Sequence, residues 1–347
     1  MPRIDGTSAS DLLEGGALND DIFGMAGNDT LSGDGGADTL DGDLGNDSLD
    51  GGPENDALYG GPGNDTLRGG TGNDWLLAEG GDDWLLGEEG NDTLWVAEGD
   101  QTVDGGEGVD MLSLVYAPEA INLNLNDTGV QRSAGGTITL TVADIEHVLG
   151  SDYDERILGT PGANWLTGSG GWDRLFGLGG DDTLAGGLDD DILFGGAGDD
   201  SLDGSVGDDL AIGGPGADTL AGGFGRDALV GGNFSGGAAP GDGEADTFVF
   251  RLAAQSLAGG QRDVIRDFET GVDQIDLSRV DADTLAGGTQ DFTFIGAARF
   301  SGTAGELRAV VINSNTLVQA DTNGDGLSDM EILLSGAPIL SEGDFIL

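Results

Sequence analysis

The chain has 347 residues, of which 69 are glycine, with 65 acidic residues against 12 Lys+Arg and a net charge of -53. That charge makes nucleic acid and anionic membrane surfaces unfavourable partners and a multivalent cation the natural one. Cysteine is absent, which excludes disulfides and thiol catalysis, and no run of about 18 apolar residues is present to span a membrane.

The opening stretch, MPRIDGTSASDLLEGG, has no basic segment followed by an apolar one. It therefore reads as lacking a cleaved secretory signal, which taken alone favours the cytoplasm. From Gly6 to Ser113 a nine-residue unit, Gly-Gly-x-Gly-x-Asp-x-Leu-x, repeats almost without slippage. Its sixth position carries Asp11, Asp20, Asp29, Asp38, Asp47, Asp56, Asp65, Asp74, Asp83, Asp92 and Asp110, and an aliphatic residue follows two places later, from Leu13 to Leu112. The turn VAEGDQTVD puts Gln101 where the acid belongs. Residues 1–113 form the first predicted array.

Residues 114–149 lose the period, and INLNLND and GTITLTV alternate apolar with polar, which predicts an irregular β bridge. A second array is predicted over 150–232. It starts imperfectly with Glu155 and Asn164, then runs regularly through Asp173, Asp182, Asp191, Asp200, Asp209, Asp218 and Asp227, with Ala211 an undersized core residue. GGNFSGGAAP, from Gly231 to Pro240, reads as a loop, and one further turn brings Asp246 and Phe248. Residues 233–347 are predicted to form a β-rich C-terminal domain, with a hairpin joining TLVQAD to MEILL across Asp325-Gly326.

Glycine-rich turns admit positive φ and close backbone approach, and the short strand after each turn points its middle residue inward. Two units make one coil of 18 residues, so aspartates 18 apart stack on one edge. Asp29, Asp47, Asp65 and Asp83 form one column, and Asp20, Asp38, Asp56, Asp74, Asp92 and Asp110 the other. Carboxylates stacked at strand spacing, about 4.8 Å, repel unless a cation lies between them. Carboxylate and carbonyl oxygens without nitrogen or sulfur select hard cations, and irregular cages of six to eight oxygens suit calcium rather than magnesium. With one apolar residue buried per unit, the cation-free chain is expected to be unfolded.

These units closely resemble the RTX, or haemolysin-type, calcium-binding repeats of bacterial secreted proteins; GGPGNDTLRGGTGNDWL and GGAGDDSLDG stand near consensus. The resemblance implies a parallel β-roll binding multiple calcium ions between adjacent coils. It also implies a ligand set which, carried onto one pair of turns, comprises Gly61, Gly63, Asp65, Ala78, Gly80 and Asp83. Gln101, Glu155 and Asn164 depart from the pattern. The stretch from Asp246 to Leu347 resembles the C-terminal region of serralysin-type metalloproteases in D-x-F-V-F, DVIRDFETGVDQIDLS, a D-x-N-G-D-G segment and a terminal acid before three apolar residues. That resemblance implies an uncleaved type I secretion signal, with the type I machinery as partner, and a secreted, extracellular or cell-surface protein.

Protease activity is not expected, because His147 is the only histidine and His-Glu-x-x-His cannot be formed; Gly-x-Ser-x-Gly is also absent. His147 reads as a strand residue, and the abundant carboxylate pairs belong to the repeat. Asp321, Asn323, Asp325 and Asp329 resemble the start of an EF-hand loop, but Ile332 stands where its twelfth-position Glu is required, so a hairpin turn is expected. Trp75, Trp84 and Trp95 flank inward positions and are expected on outer faces, either stacking on carbohydrate or packing against neighbouring segments.

The fold expected is all-β, a parallel β-roll in two arrays plus a β-rich C-terminal domain. The function expected is that of a non-enzymatic secreted calcium-binding protein with a structural, surface or matrix role, and cell-surface or matrix polysaccharide as a further partner. The alternatives are the non-catalytic folding-and-secretion region of a larger secreted enzyme, or a polysaccharide-binding module.

Overall fold

Each nine-residue repeat carries one glycine-rich turn, and what lies between turns is too short for anything but a strand. The computed structural model describes residues 2–232, 243–336 and 338–347, and the regular secondary structure among them is β apart from two one-turn 3-10 helices. The predicted loop from Gly231 to Pro240 lies, from Asn233 onward, outside the described residues. Two compact units divide the chain, Met1–Thr160 and Pro161–Leu347.

In the first unit, up to Ser113, successive strands of each face pair in parallel at a constant offset of 18 residues. On one face Leu31, Leu49, Leu67 and Leu85 stack in register, and on the other Leu40, Leu58, Leu76 and Leu94 do. All eight are fully buried, while the residues on either side of each point outward. The period-two geometry of a strand explains this: one inward residue per three-residue strand leaves two facing out.

The stretch from 114 to 149 does not leave the roll. Strand Ile138–Ala143 pairs in parallel with Gly99–Glu107, placing Val142 beside Val103, and His147–Leu149 pairs with Met111–Ser113. The intervening residues are an insertion within the coil rather than a separate bridge. Asn122–Asn124 pairs with Arg156–Leu158, tying the expected start of the second array to the first unit. The division accordingly falls at Thr160 rather than at residue 150.

The second unit repeats the scheme. Leu166, Leu184, Leu202, Leu220, Phe248, Ile275 and Phe345 stack along one face. Leu175, Leu193, Ala211, Leu229, Ile265 and Leu334 stack along the other. The boundary expected at residue 233 is therefore not a boundary of the roll, whose core ladder runs on to the C-terminus. An antiparallel meander of Glu306–Ile312, Asn315–Asp321 and Met330–Ser335 is appended to it. Its second hairpin is the predicted one; its first, turning at Asn313 with φ 57°, was not anticipated.

Candidate metal centre

Each repeat aspartate sits just before its strand, where the turn ends, and its backbone amide faces the next coil. Asp29, Asp47 and Asp65 donate their N–H groups to Oδ1 of Asp47, Asp65 and Asp83 at 2.7–2.8 Å. Asp20, Asp38, Asp56, Asp74 and Asp92 do the same to Asp38, Asp56, Asp74, Asp92 and Asp110. In the second unit Asp182, Asp200 and Asp218 continue one column to Asp246, and Asp173, Asp191, Asp209 and Asp227 continue the other to Asp263. A counter-ladder runs at position five, where the side-chain oxygen accepts the amide of the residue 18 later, as from Asn64 to Asn46 and from Asp199 to Asp181. The two ladders lock successive turns in register from both sides.

The second oxygen of each aspartate is what makes the site. The carboxylates from Asp20 to Asp110 and from Asp173 to Asp227 are at most 3% exposed. Oδ2 of Asp29, Asp38, Asp47, Asp56, Asp65, Asp74, Asp92 and Asp110 has no hydrogen-bond partner, and the same holds for Asp182, Asp191, Asp200, Asp209, Asp227 and Asp263. A buried carboxylate oxygen without a donor is costly, and a protein keeps such an atom only where something outside the chain satisfies it.

The space before it is kept open by the first glycine of the turn. A methyl group on Gly60 would lie 2.6 Å from Asp65 Oδ2 and 3.0 Å from the Ala78 carbonyl oxygen; on Gly51 it would lie 2.6 Å from Asp56 Oδ2 and 2.7 Å from the Gly69 carbonyl. Two acceptors facing one gap with no donor between them define a place for a cation. Among the described residues no three His, Cys, Asp or Glu side chains form a metal cluster, so a cation there must draw most of its ligands from backbone carbonyls.

Of the six residues carried over by resemblance, Asp65 and Ala78 meet across this gap. Gly61, at φ 92°, and Gly63, at φ 151°, supply the left-handed turn, and the Gly63 amide donates to the Gly80 carbonyl at 2.9 Å. Asp83 differs from Asp47, Asp56 and Asp65, whose Oδ2 has no partner. Its Oδ1 accepts the Asp65 amide and its Oδ2 accepts Gln101 Nε2 at 3.0 Å. Gln101 Nε2 also donates to the Gly81 carbonyl at 2.8 Å and the Glu98 carbonyl at 3.2 Å. A carboxamide thus reaches the oxygens that a cation would otherwise gather.

Burial raises the carboxylate pKa values of Asp56, Asp65 and Asp209, against the lowering effect of the amide each accepts and with reinforcement from charges along the column. Asp56 and Asp65 are pushed up to about 7 and Asp209 and Asp263 to about 8. For Asp263 the Asp227 charge is the next cause after burial. A positive charge in the gap would reverse this tendency.

The exceptions expected from sequence take other roles. Glu155 turns its carboxylate to the amide and hydroxyl of Ser151 at 3.0 and 2.6 Å, and the Asn164 amide joins the ladder through Asp182. Asp321 Oδ1 accepts the Gly324 amide and its Oδ2 the Gly326 amide, while Asp329 holds Thr322 and Asn323. Those carboxylates staple a hairpin loop. Sequence reasoning gave Asp246 one further turn but left Asp263 and Asp273 out of the columns, although Asp273 Oδ1 accepts the Asp246 amide at 3.2 Å. The signal was present in Asp263-Val264-Ile265 and Asp273-Gln274-Ile275, each an aspartate two residues before an inward aliphatic.

Residues 5–40, 14–49, 41–76, 50–85, 77–112 and 149–184 match the family described as RTX calcium-binding nonapeptide repeat, and residues 177–347 match Peptidase M10 serralysin C terminal. The chain therefore carries RTX calcium-binding repeats and a serralysin-type C-terminal region, as the repeat and the terminal motifs imply. Among solved structures it is similar to the AlgE6R3 subunit of the mannuronan C5-epimerase from Azotobacter vinelandii, with 29% identity over 46% of this chain and 78% of that one, and a TM-score of 0.31. The AlgE6R2 subunit of that epimerase shows 26% identity over 58% and 91%, with a TM-score of 0.29. Extracellular lipase LipA from Serratia marcescens shows 17% identity over 87% and 40%, with a TM-score of 0.19. No curated protein matches the chain.

Proposed function

We propose that this is a non-enzymatic, secreted calcium-binding protein whose roll is fixed by calcium after export and which serves a structural role at a surface or in a matrix. The observation that carries the reading is the buried, donorless Oδ2 repeated turn after turn, facing a carbonyl oxygen across a space that only glycine leaves free. Calcium, when bound, supplies the positive charge that lets neighbouring carboxylates stay ionised in a buried column. Asp65 with the Ala78 carbonyl, and Asp56 with the Gly69 carbonyl, would hold it, with further carbonyls of the same turns completing the shell. Each aspartate orients itself for this by fixing Oδ1 on the neighbouring coil.

The serralysin-type terminus supports export by a type I route, in which the chain passes unfolded from a calcium-poor to a calcium-rich compartment. Extracellular modules fill at a Kd of about 0.1–1 mM, so folding would wait for the outside. In the folded chain Asp344 is buried and accepts the Gly271 amide at 2.7 Å, and Phe345–Ile346 pairs with Ile275–Asp276. A terminus held this way is available to a transporter only before folding. The peptidase name of the matched C-terminal family favours a second reading, in which the chain is the folding-and-export region of a larger enzyme; the mass of the product released to the medium distinguishes them.

Calorimetric calcium titration of the chain and of Asp47→Asn, Asp56→Asn and Asp65→Asn tests the site. Fewer ions bound and a shallower transition are expected in each variant; unchanged stoichiometry and cooperativity would refute the assignment.

A further inference from the structure

The repeat leaves the residues on either side of each inward leucine free to vary, and across three successive coils of the first unit they include Tyr59, Trp75 and Trp95. Tyr59, Leu77 and Trp95 stand in one row on the outer face, since Leu77 pairs with both, and Trp75 stands in the adjacent row between Ala57 and Thr93. Trp84 belongs to the opposite sheet and takes no part. The Trp75 and Trp95 rings meet at 4.5 Å between centroids with their planes inclined by 52°. Tyr116, from the insertion that follows Ser113, closes the group. Tyr59, Trp75, Leu77, Trp95 and Tyr116 enclose a cavity of about 230 Å³. A second cavity of about 510 Å³ shares Leu77 and Tyr116 with the first and is lined also by Glu79 and Glu98.

We infer that this aromatic cage, opening onto two carboxylates, is a binding site for a small organic cation bearing a quaternary ammonium group. Inclined ring faces surround a compact charge with the negative lobes of several quadrupoles, which is how such groups are recognised. The exposed Glu79 and Glu98 add charge complementarity at the mouth, and the chain's net charge of -53 raises the local concentration of any cation. A sugar ring is less well served. It stacks on a flat platform, whereas the planes of Trp75 and Trp95 are inclined by 52°. Trp75 at 52% and Tyr116 at 57% exposure leave ring surface open to a ligand. The rings of the cage come from outward positions, and none of them is an aspartate of the columns.

The calcium-loaded full chain is titrated with choline at constant ionic strength, reading tryptophan fluorescence. Its uncharged isostere 3,3-dimethylbutanol and a neutral oligosaccharide are run in parallel. Saturable quenching by choline is expected, at least ten-fold tighter than with either control. Trp95→Ala is expected to abolish it, Trp95→Phe to retain part, Glu98→Gln to weaken it a few-fold, and Trp84→Ala to leave its affinity unchanged. Circular dichroism and calcium stoichiometry establish that each variant is folded, and Glu98→Gln alters only an exposed side chain. Equal binding of the isostere, saturation by the oligosaccharide instead, absence of a choline response, or its persistence in folded Trp95→Ala overturns the proposal.

Discussion

Most repeat aspartates of the first unit give Oδ1 to an amide 18 residues earlier and leave Oδ2 for the turn, and Gln101 shows what happens when that division fails. Its Nε2 bonds Asp83 Oδ2 and the Gly81 and Glu98 carbonyls, holding two coils together with an internal donor. Gln101→Asp removes that donor and restores a repeat carboxylate. It is expected to bind one more calcium ion than the parent and to be less stable in chelator, both readable by calorimetry; an unchanged ion count contradicts this role. At the inward position Leu76 is fully buried between Leu58 and Leu94. Leu76→Ala is expected to cost about 2–5 kcal/mol in the calcium-loaded chain, measured by denaturant unfolding. Positions six and eight were legible because one period fixes both. The role of Gln101 was not, because a pattern shows that an acid is missing and not that an amide reaches the same oxygens.

Among the elements, the short strands owe their register to ladders at both ends of each turn as well as to the leucine core. In the cation-free fold the ladder aspartates titrate high: Asp56 and Asp65 at about 7, Asp209 and Asp263 at about 8, raised first by burial. An unfolded aspartate titrates at about 3.9. Between those values the folded chain binds more protons than the unfolded one, so its stability falls as pH rises through the window. The stabilisation from protonation is complete below the unfolded value and lost as pH passes the folded ones. In chelator the chain is expected to show more β structure by far-UV circular dichroism at pH 5 than at pH 8; the reverse order contradicts the burial of these groups. The strands of residues 138–143 and 263–276 were seen in the sequence as alternating or motif-bearing stretches. Their place in the roll was not, because insertions change the offset from 18 to 27, 36 or 39 residues while keeping an apolar residue at the inward position.

Over the whole molecule, the all-β roll and its two aspartate columns per unit follow from one repeat, while the limits of the units do not. The core ladder passes through the expected boundary at residue 233 to Leu334 and Phe345, since Phe248, Ile265 and Ile275 stand where leucine stands earlier. Composition changes there, but inward periodicity does not. On the proposed function, the same thin core, one apolar residue for each turn, makes the fold depend on calcium between the carboxylates. The most direct measurement is far-UV circular dichroism of the full chain at pH 7.5 while calcium is added to chelator-treated protein. A disordered spectrum without calcium and a cooperative rise of β signal with it are expected. A native-like spectrum in excess chelator, unaltered by calcium, would contradict the account.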